Sequence, residues 1–213
     1  MSKVRLTIAM SVDGFVAGPR QDVDNPLGVG GEHLHDWAFP LAAWRQPHGL
    51  EGGEVNESTP VIEERLARTG ATVMGRNMFG GGTGPWGDDP WNGWWGDNPP
   101  FHHPVFVLTH HARKPLVCGG CTTFTVVTSG IESALDQAKR AAAGKDVSLA
   151  GGAQAGRQYL HADLVDEMEI DLVPIFLGDG ERLFDNLGVG NPRLSHVATV
   201  AAPGVTHLKF ERP

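Results

Sequence analysis

One local construction occurs twice in this chain: a short apolar run, a glycine turn, then the start of a helix. The first copy is Thr72-Val73-Met74-Gly75-Arg76-Asn77; the second is Ser148-Leu149-Ala150-Gly151-Gly152-Ala153-Gln154-Ala155-Gly156. Short buried strands that alternate with helices through glycine turns are the units of an α/β sheet, and they argue for strands lying parallel with helices on both faces.

The remaining patterning agrees. Lys3 to Met10, Pro104 to Thr109, Thr122 to Thr128 and Val147 to Ala150 read as strands from their β-branched and apolar content. Thr59 reads as an N-cap with Pro60 at the first helical position, opening a helix that stops near Gly70. Ile131 to Ala143, with Ser129 as cap, and Ala153 to about His161 are two further helices. Leu34, Trp37, Ala38 and Leu41 are spaced for a helix over Glu32 to Trp44, although Pro40 weakens it. Glu167 to Pro174 alternates Met168, Ile170 and Leu172 against Glu167, Glu169 and Asp171, the pattern of a half-exposed strand. Ser195 to Phe210 supplies one or two more strands, an expected antiparallel edge pair.

No repeat and no linker interrupts the 213 residues, so residues 1–213 are expected to form a single domain with long loops at about 18–58 and 80–103. The formal charge of −8 gives no electrostatic reason to bind nucleic acid or an anionic membrane, so an anionic ligand needs a local site. No apolar window approaches the roughly 18 to 20 residues of a membrane span, and Met1 to Met10 reads as a strand and not as a signal peptide. A cytoplasmic location is the default expectation. Cys118 and Cys121 form a lone CxxC in a glycine turn, read as incidental thiols. The pairs His102-His103 and His110-His111 point their rings to opposite faces in strand geometry, so no metal is expected.

Helix N-termini expose unpaired N–H groups, and glycines there let phosphate oxygens approach the backbone. Two such turns on one sheet rim could hold the two ends of a dinucleotide, with Arg76 adding a charge-assisted bond. Each turn is equally readable as ordinary strand–helix packing, and GGAQAG is not the GxGxxG of a Rossmann site. The segment Gly80 to His103 holds Trp86, Trp91, Trp94 and Trp95. It reads as a lid that stacks on a flat ring, as a dimer interface, or as simple loop packing.

The order SVDGF (11–15), MGR (74–76), VFVLTH (105–110), LAGGAQ (149–154) and EIDLVPIFLGDG (169–180) resembles the dihydrofolate-reductase-like superfamily. It is most similar to the reductase domain of the bifunctional riboflavin-biosynthesis deaminase/reductase, over roughly Val4 to Leu187. The resemblance implies a three-layer α/β/α fold, with a mostly parallel central sheet and an antiparallel C-terminal edge. It also implies NADPH as cofactor and a homodimer. By residue, it places Ala9, Val16 and Ala17 beside the nicotinamide, and Gly75, Arg76 and Asn77 at the family's Gly-Arg step, with Arg76 facing the 2′-phosphate. Leu108, Thr109 and His110 would flank the adenine ribose, and Gly151, Gly152, Ala153, Gln154 and Ala155 the diphosphate.

The implied activity is hydride transfer from NADPH to a small heterocycle, such as a ribosylaminopyrimidine. The alternative is a non-catalytic protein of the same fold that binds a nucleotide or flat ligand. Asp36 is the candidate proton donor, weighed against a surface Asp at a helix start. Asp13, Trp91 and Trp94 are candidate substrate contacts, and Asp13 has a structural alternative as the side chain holding the turn before Gly14.

Overall fold

A computed structural model of the chain describes residues 2–80, 82, 84–88, 90–187 and 194–213. In chain order its strands are β1 (Val4–Ser11), β2 (Phe15–Ala17), β3 (Thr69–Gly75), β4 (Pro104–Leu108), β5 (Leu116–Val117) and β6 (Thr123–Val127). These are followed by β7 (Asp146–Leu149), β8 (Glu167–Val173), β9 (Glu181–Arg182), β10 (Ser195–Ala202) and β11 (Val205–Glu211). The α-helices are α1 (Ala42–Arg45), α2 (Thr59–Arg68), α3 (Arg76–Phe79), α4 (Ile131–Ala141) and α5 (Ala153–His161).

The main sheet runs β10-β11-β8-β1-β7-β3-β4-β6-β5. From β8 to β6 all pairings are parallel, while β5, β11 and β10 join antiparallel at the two edges. β2 and β9 form a separate short pair. The architecture is the expected mixed α/β arrangement with a mostly parallel sheet and an antiparallel C-terminal edge.

Alternation sorts the side chains onto two faces. Leu6, Val73, Val147, Leu149, Met168 and Ile170 pack with Ala134, Leu135 and Ala138 of α4 and Tyr159 and Leu160 of α5. The fully buried Tyr159 satisfies its hydroxyl by donating to the Ile131 carbonyl at 2.9 Å. On the other face Met74, Val105, Val107 and Phe124 meet Phe79, Trp86, Trp91, Trp95 and Phe101. Here the Trp-rich segment is the covering layer where a helix would otherwise lie. Trp95 stacks on Phe124 at 5.9 Å, and Phe79 meets Phe124 edge-on at 5.1 Å. Such aromatic pairs add about 0.5–1.5 kcal/mol each to their area burial.

The part of that face over β1 and β8 is ionic. Glu167, Glu169 and Asp171 do not face water as their alternation predicts: all three are buried under α2. Arg65 grips Asp171 with two bonds of 2.8 and 2.7 Å and donates its Nε–H to Glu169. Arg68 bonds Glu167 at 3.0 and 3.1 Å, and Lys209 and Lys3 add ion pairs to Glu167 at 3.3 Å. Asp171 also meets His207 Nδ1 at 2.6 Å, while His207 Nε2 lies 2.8 Å from the Ser58 hydroxyl. Buried charges are tolerated only when paired and hydrogen-bonded in this way.

Three local expectations are corrected. The helix over Glu32 to Trp44 is a 3₁₀ turn (Gly31–Leu34) and the single turn of α1, separated around Pro40, which has no N–H to donate. α2 begins at Thr59 with Ser58 as its N-cap residue, and the Ser58 hydroxyl is turned to His207. The N-cap of α4 is Gly130 at φ 90°, not Ser129, whose hydroxyl bonds Ser133 at 2.7 Å.

Candidate functional site

The carboxyl ends of β7, β3, β4 and β6 and the middle of β1 line one cleft of about 580 Å³. That size lies within the range of ligand-binding clefts, and the location is where open α/β sheets collect ligands.

At its centre the two glycine turns touch. Gly75 N–H donates to the Gly151 carbonyl at 2.8 Å, and Ala150 N–H to the Val73 carbonyl at 3.0 Å. Gly75 is closely packed, since a Cβ there would stand 3.3 Å from Ala155 Cβ. Gly152 differs: a Cβ on it would meet nothing within 4 Å, and the residue lines the cleft. It is the N-cap of α5 and no side chain caps that helix, so the first-turn amides are left to the cleft. Gly151, Gly152, Ala153, Gln154 and Ala155 all lie on this wall.

The first glycine turn is weaker than its sequence suggests. α3 is a single turn of four residues, too short for a meaningful helix dipole. The second genuine helix N-terminus at the cleft is that of α4, reached through Thr128, Gly130 and Ile131. The sequence reading found α4 but did not associate it with the site. Its signal was the Thr-Ser-Gly run directly before the helix.

Gly75, Arg76 and Asn77 line the cleft beside Leu108, Thr109 and His110 from the end of β4. Thr109 N–H donates to the Val127 carbonyl at 3.2 Å. Arg76 is buried: its guanidinium carbon lies 3.1 Å from the Trp86 ring centroid, and its Nε–H donates to the Gly82 carbonyl at 3.0 Å. Burial and the Arg113 charge across the same indole hold Arg76 below the usual guanidinium pKa.

Ala9, Val16 and Ala17 line the β1 end. The 18–58 segment supplies its outer wall through Gln21, Pro26, Leu27 and His35. That segment is held tightly, with Gly18 N–H donating to the Leu27 carbonyl at 2.8 Å and Val29 N–H to the Pro19 carbonyl at 2.9 Å. His35 Nδ1 is buried and has no hydrogen-bond partner among the described residues. Burial lowers the His35 pKa, and the charges of Asp171 and Asp36 offset this only in part.

Several expected contacts lie elsewhere. Asp36, the candidate acid, is exposed and paired with His33 Nδ1 at 2.8 Å, outside the cleft lining. Its neighbour His35 points into the cleft instead, because a 3₁₀ turn does not keep the phase of the expected α-helix. Asp13 is also outside the lining; it accepts from Leu177 N–H at 3.2 Å, Gly178 N–H at 2.8 Å and the Ser11 hydroxyl at 2.5 Å, the structural alternative raised for it. Trp91 is outside too, its indole N–H donating to the Phe79 carbonyl at 2.8 Å. Trp94 does line the cleft, pinned by a 3.0 Å bond to the Met78 carbonyl, and Trp95 lies beside it.

Among the described residues no cluster of three His, Cys, Asp or Glu is arranged for a metal ion. No described helix is long and apolar enough to cross a membrane. Both cysteines are free, and burial raises the Cys118 pKa, the opposite of what a reactive thiolate needs.

Comparison with known proteins places this geometry. The profile of the RibD C-terminal domain matches residues 2–208. A Shewanella sp. PV-4 structure, named as a riboflavin biosynthesis protein, aligns with a TM-score of 0.64 at 21% identity, covering 99% of both chains. The Thermotoga maritima diaminohydroxyphosphoribosylaminopyrimidine deaminase/5-amino-6-(5-phosphoribosylamino)uracil reductase aligns with a TM-score of 0.58 at 13% identity. Acinetobacter baumannii RibD aligns at 0.55 and 16%. The present chain is fully covered in both of these alignments but spans only 57% and 58% of those longer proteins. No match was found among curated proteins.

Proposed function

The chain belongs to the RibD C-terminal domain family, and from that premise we propose that it is an NADPH-dependent reductase acting on a small heterocyclic substrate. One observation carries this reading. Every residue that the family resemblance assigns to the cofactor lines the same cleft, with Gly75 and Gly151 hydrogen-bonded at its centre.

The residues fit the group. The uncapped amides of α5 and the open position above Gly152 suit a diphosphate. Leu108 to His110 suit the adenine ribose, and Ala9, Val16 and Ala17 give the nicotinamide an apolar border. When bound, NADPH supplies hydride. The protein orients the two reactants and limits water, which is most of what such chemistry asks of it. Arg76 stands at the β3 side of the cleft, where a 2′-phosphate would distinguish NADPH from NADH.

The placement of Asp36 favours a second reading. With the expected acid outside the cleft, a protein that binds the nucleotide without turnover keeps the same geometry.

Titration with NADPH and NADH tests both, following indole fluorescence and then nicotinamide absorbance against a panel of pyrimidines and pteridines. NADPH binding with oxidation supports the reductase. Binding with no oxidation across the panel supports the second reading. No binding of either nucleotide refutes both. Arg76→Ala is expected to weaken NADPH more than NADH, and an equal loss would remove the 2′-phosphate role.

A further inference from the structure

The β1 end of the cleft is walled by Ala9, Ala17, Leu27 and His35. Its chemistry is that of a site for a neutral molecule. Among the described lining residues Arg76 is the one Arg or Lys, and it belongs to the turn after β3. β7 lies between β1 and β3, so the two ends are separated by two strand spacings, roughly 10 Å. Glu181, also in the lining, is ion-paired with Arg157 at 3.7 Å. Arg157 further donates to the Arg182 carbonyl at 2.6 Å, and Arg182 lies over the Phe15 ring at 3.9 Å.

His35 is the polar group of that wall with an unpaired ring, since the Gln21 amide donates to the Pro26 carbonyl at 2.8 Å. Its Nδ1 has neither solvent nor partner, and its Nε2 makes no hydrogen bond among the described residues. An N–H without an acceptor in a buried place is costlier than an unmet lone pair. The proton of the neutral ring therefore belongs on Nε2, the nitrogen not sealed from solvent, in a ring that lines the cleft. Asp171 and Asp36 are the carboxylates that act on this ring, and Asp171 is already neutralised by Arg65. The ring is thus a neutral donor beside Ala9, Ala17 and Leu27.

We propose that the β1 end takes an uncharged, flat heterocycle whose carbonyl or ring acceptor receives the His35 Nε2–H, and that it discriminates against the phosphorylated form of the same molecule. The proposal rests on the reductase reading for the position of the nicotinamide. It departs from the phosphoribosyl substrate named for the Thermotoga maritima protein. A phosphate placed here would stand near the Glu181 carboxylate and, among the described lining residues, would meet no Arg or Lys nearer than Arg76.

The test uses the full chain saturated with NADP⁺. Calorimetry compares 5-amino-6-ribosylaminouracil with its 5′-phosphate. The riboside is expected to bind at least about tenfold more tightly than the phosphate. His35→Leu is expected to cost the riboside about tenfold, His35→Gln to restore part of it, and neither to change the Kd for NADPH. In ¹⁵N-histidine protein the Nε2 resonance of His35 is expected to move on riboside addition. Equal or tighter binding of the phosphate, no binding of the riboside, or an unaffected His35→Leu variant would overturn the proposal. So would an unmoved resonance, which would mean that water alone partners the ring. Failure of NADP⁺ and NADPH to bind at all refutes the reductase reading itself, and with it the proposal.

Discussion

Gly75 N–H donates to the Gly151 carbonyl across 2.8 Å, so the ends of β3 and β7 are fastened to one another at the floor of the cleft. Two turns 76 residues apart in sequence thereby become one surface. The residues on either side of this bond divide into those that pack and those that are left open, and substitutions separate the two.

Gly152 belongs to the open group. Gly152→Val meets no protein atom near the new Cβ and keeps an ordinary φ of −73°, so thermal stability is expected to stay within about 1 kcal/mol of the native chain. The isopropyl group stands where the diphosphate would approach, and NADPH affinity is expected to fall about a hundredfold, roughly 2.7 kcal/mol. Calorimetry with NADPH beside a melting curve checks both halves. Unchanged affinity would remove this turn from the site.

Arg65 sits between Glu169 and Asp171, both buried. Arg65→Met leaves two carboxylates under α2 without their main counter-charge. Removing one partner of a buried ion pair costs about 3–5 kcal/mol. Urea denaturation is expected to show that loss at pH 7. A change under about 1 kcal/mol would mean the pair is solvated in solution.

Glu167 sets an acid limit. Burial alone would raise its pKa, but the Arg68 hydrogen bonds and the charges of Arg68 and Lys209 outweigh it, lowering the value from 4.5 to about 2. A carboxylate depressed in the folded state binds fewer protons there than in the unfolded chain. Its stabilisation is complete above pH 4.5 and is lost as pH falls towards 2. Unfolding free energies measured between pH 6 and pH 3 should fall in this window, and Glu167→Gln should flatten the slope. An unaltered slope in Glu167→Gln would assign the acid sensitivity to other groups.

The aromatic layer makes a separate prediction. Phe124 is fully buried against Phe79, Trp95 and Phe101. Phe124→Ala is expected to cost about 3–5 kcal/mol, with NADPH affinity kept by the folded fraction. Trp94, which lines the cleft, should behave in the opposite sense, and Trp94→Phe should remove much of the fluorescence change on NADPH binding. If Phe124→Ala is harmless, the Trp-rich segment is not a structural layer.

Much of the fold was legible because strands such as PVFVL and helix α5 carry local signals that tertiary packing did not override. The glycine turns were legible for the same reason. Other features depended on partners distant in sequence. The Glu167, Glu169 and Asp171 alternation is what a wet strand shows, and nothing local distinguishes water from the guanidiniums of α2. Asp36 and His35 are adjacent, and choosing between them required the phase of a short 3₁₀ turn broken from its neighbour at Pro40. Tryptophans without periodicity gave no sign of which would fill a sheet face and which would border a cleft.

The contact between Trp37 and His207 has a consequence for the wall that carries His35. Trp37 meets the His207 ring edge-on at 5.0 Å, His207 is bonded to Asp171, and Asp171 is gripped by Arg65. Greasy surfaces tolerate sliding by a fraction of an ångström, whereas forked bonds and a ring edge accept one setting. The loop that closes the cleft is therefore keyed to the sheet like a bolt in its slot. Its shape is fixed by chemistry on β8 and β11, strands whose described residues do not line the cleft.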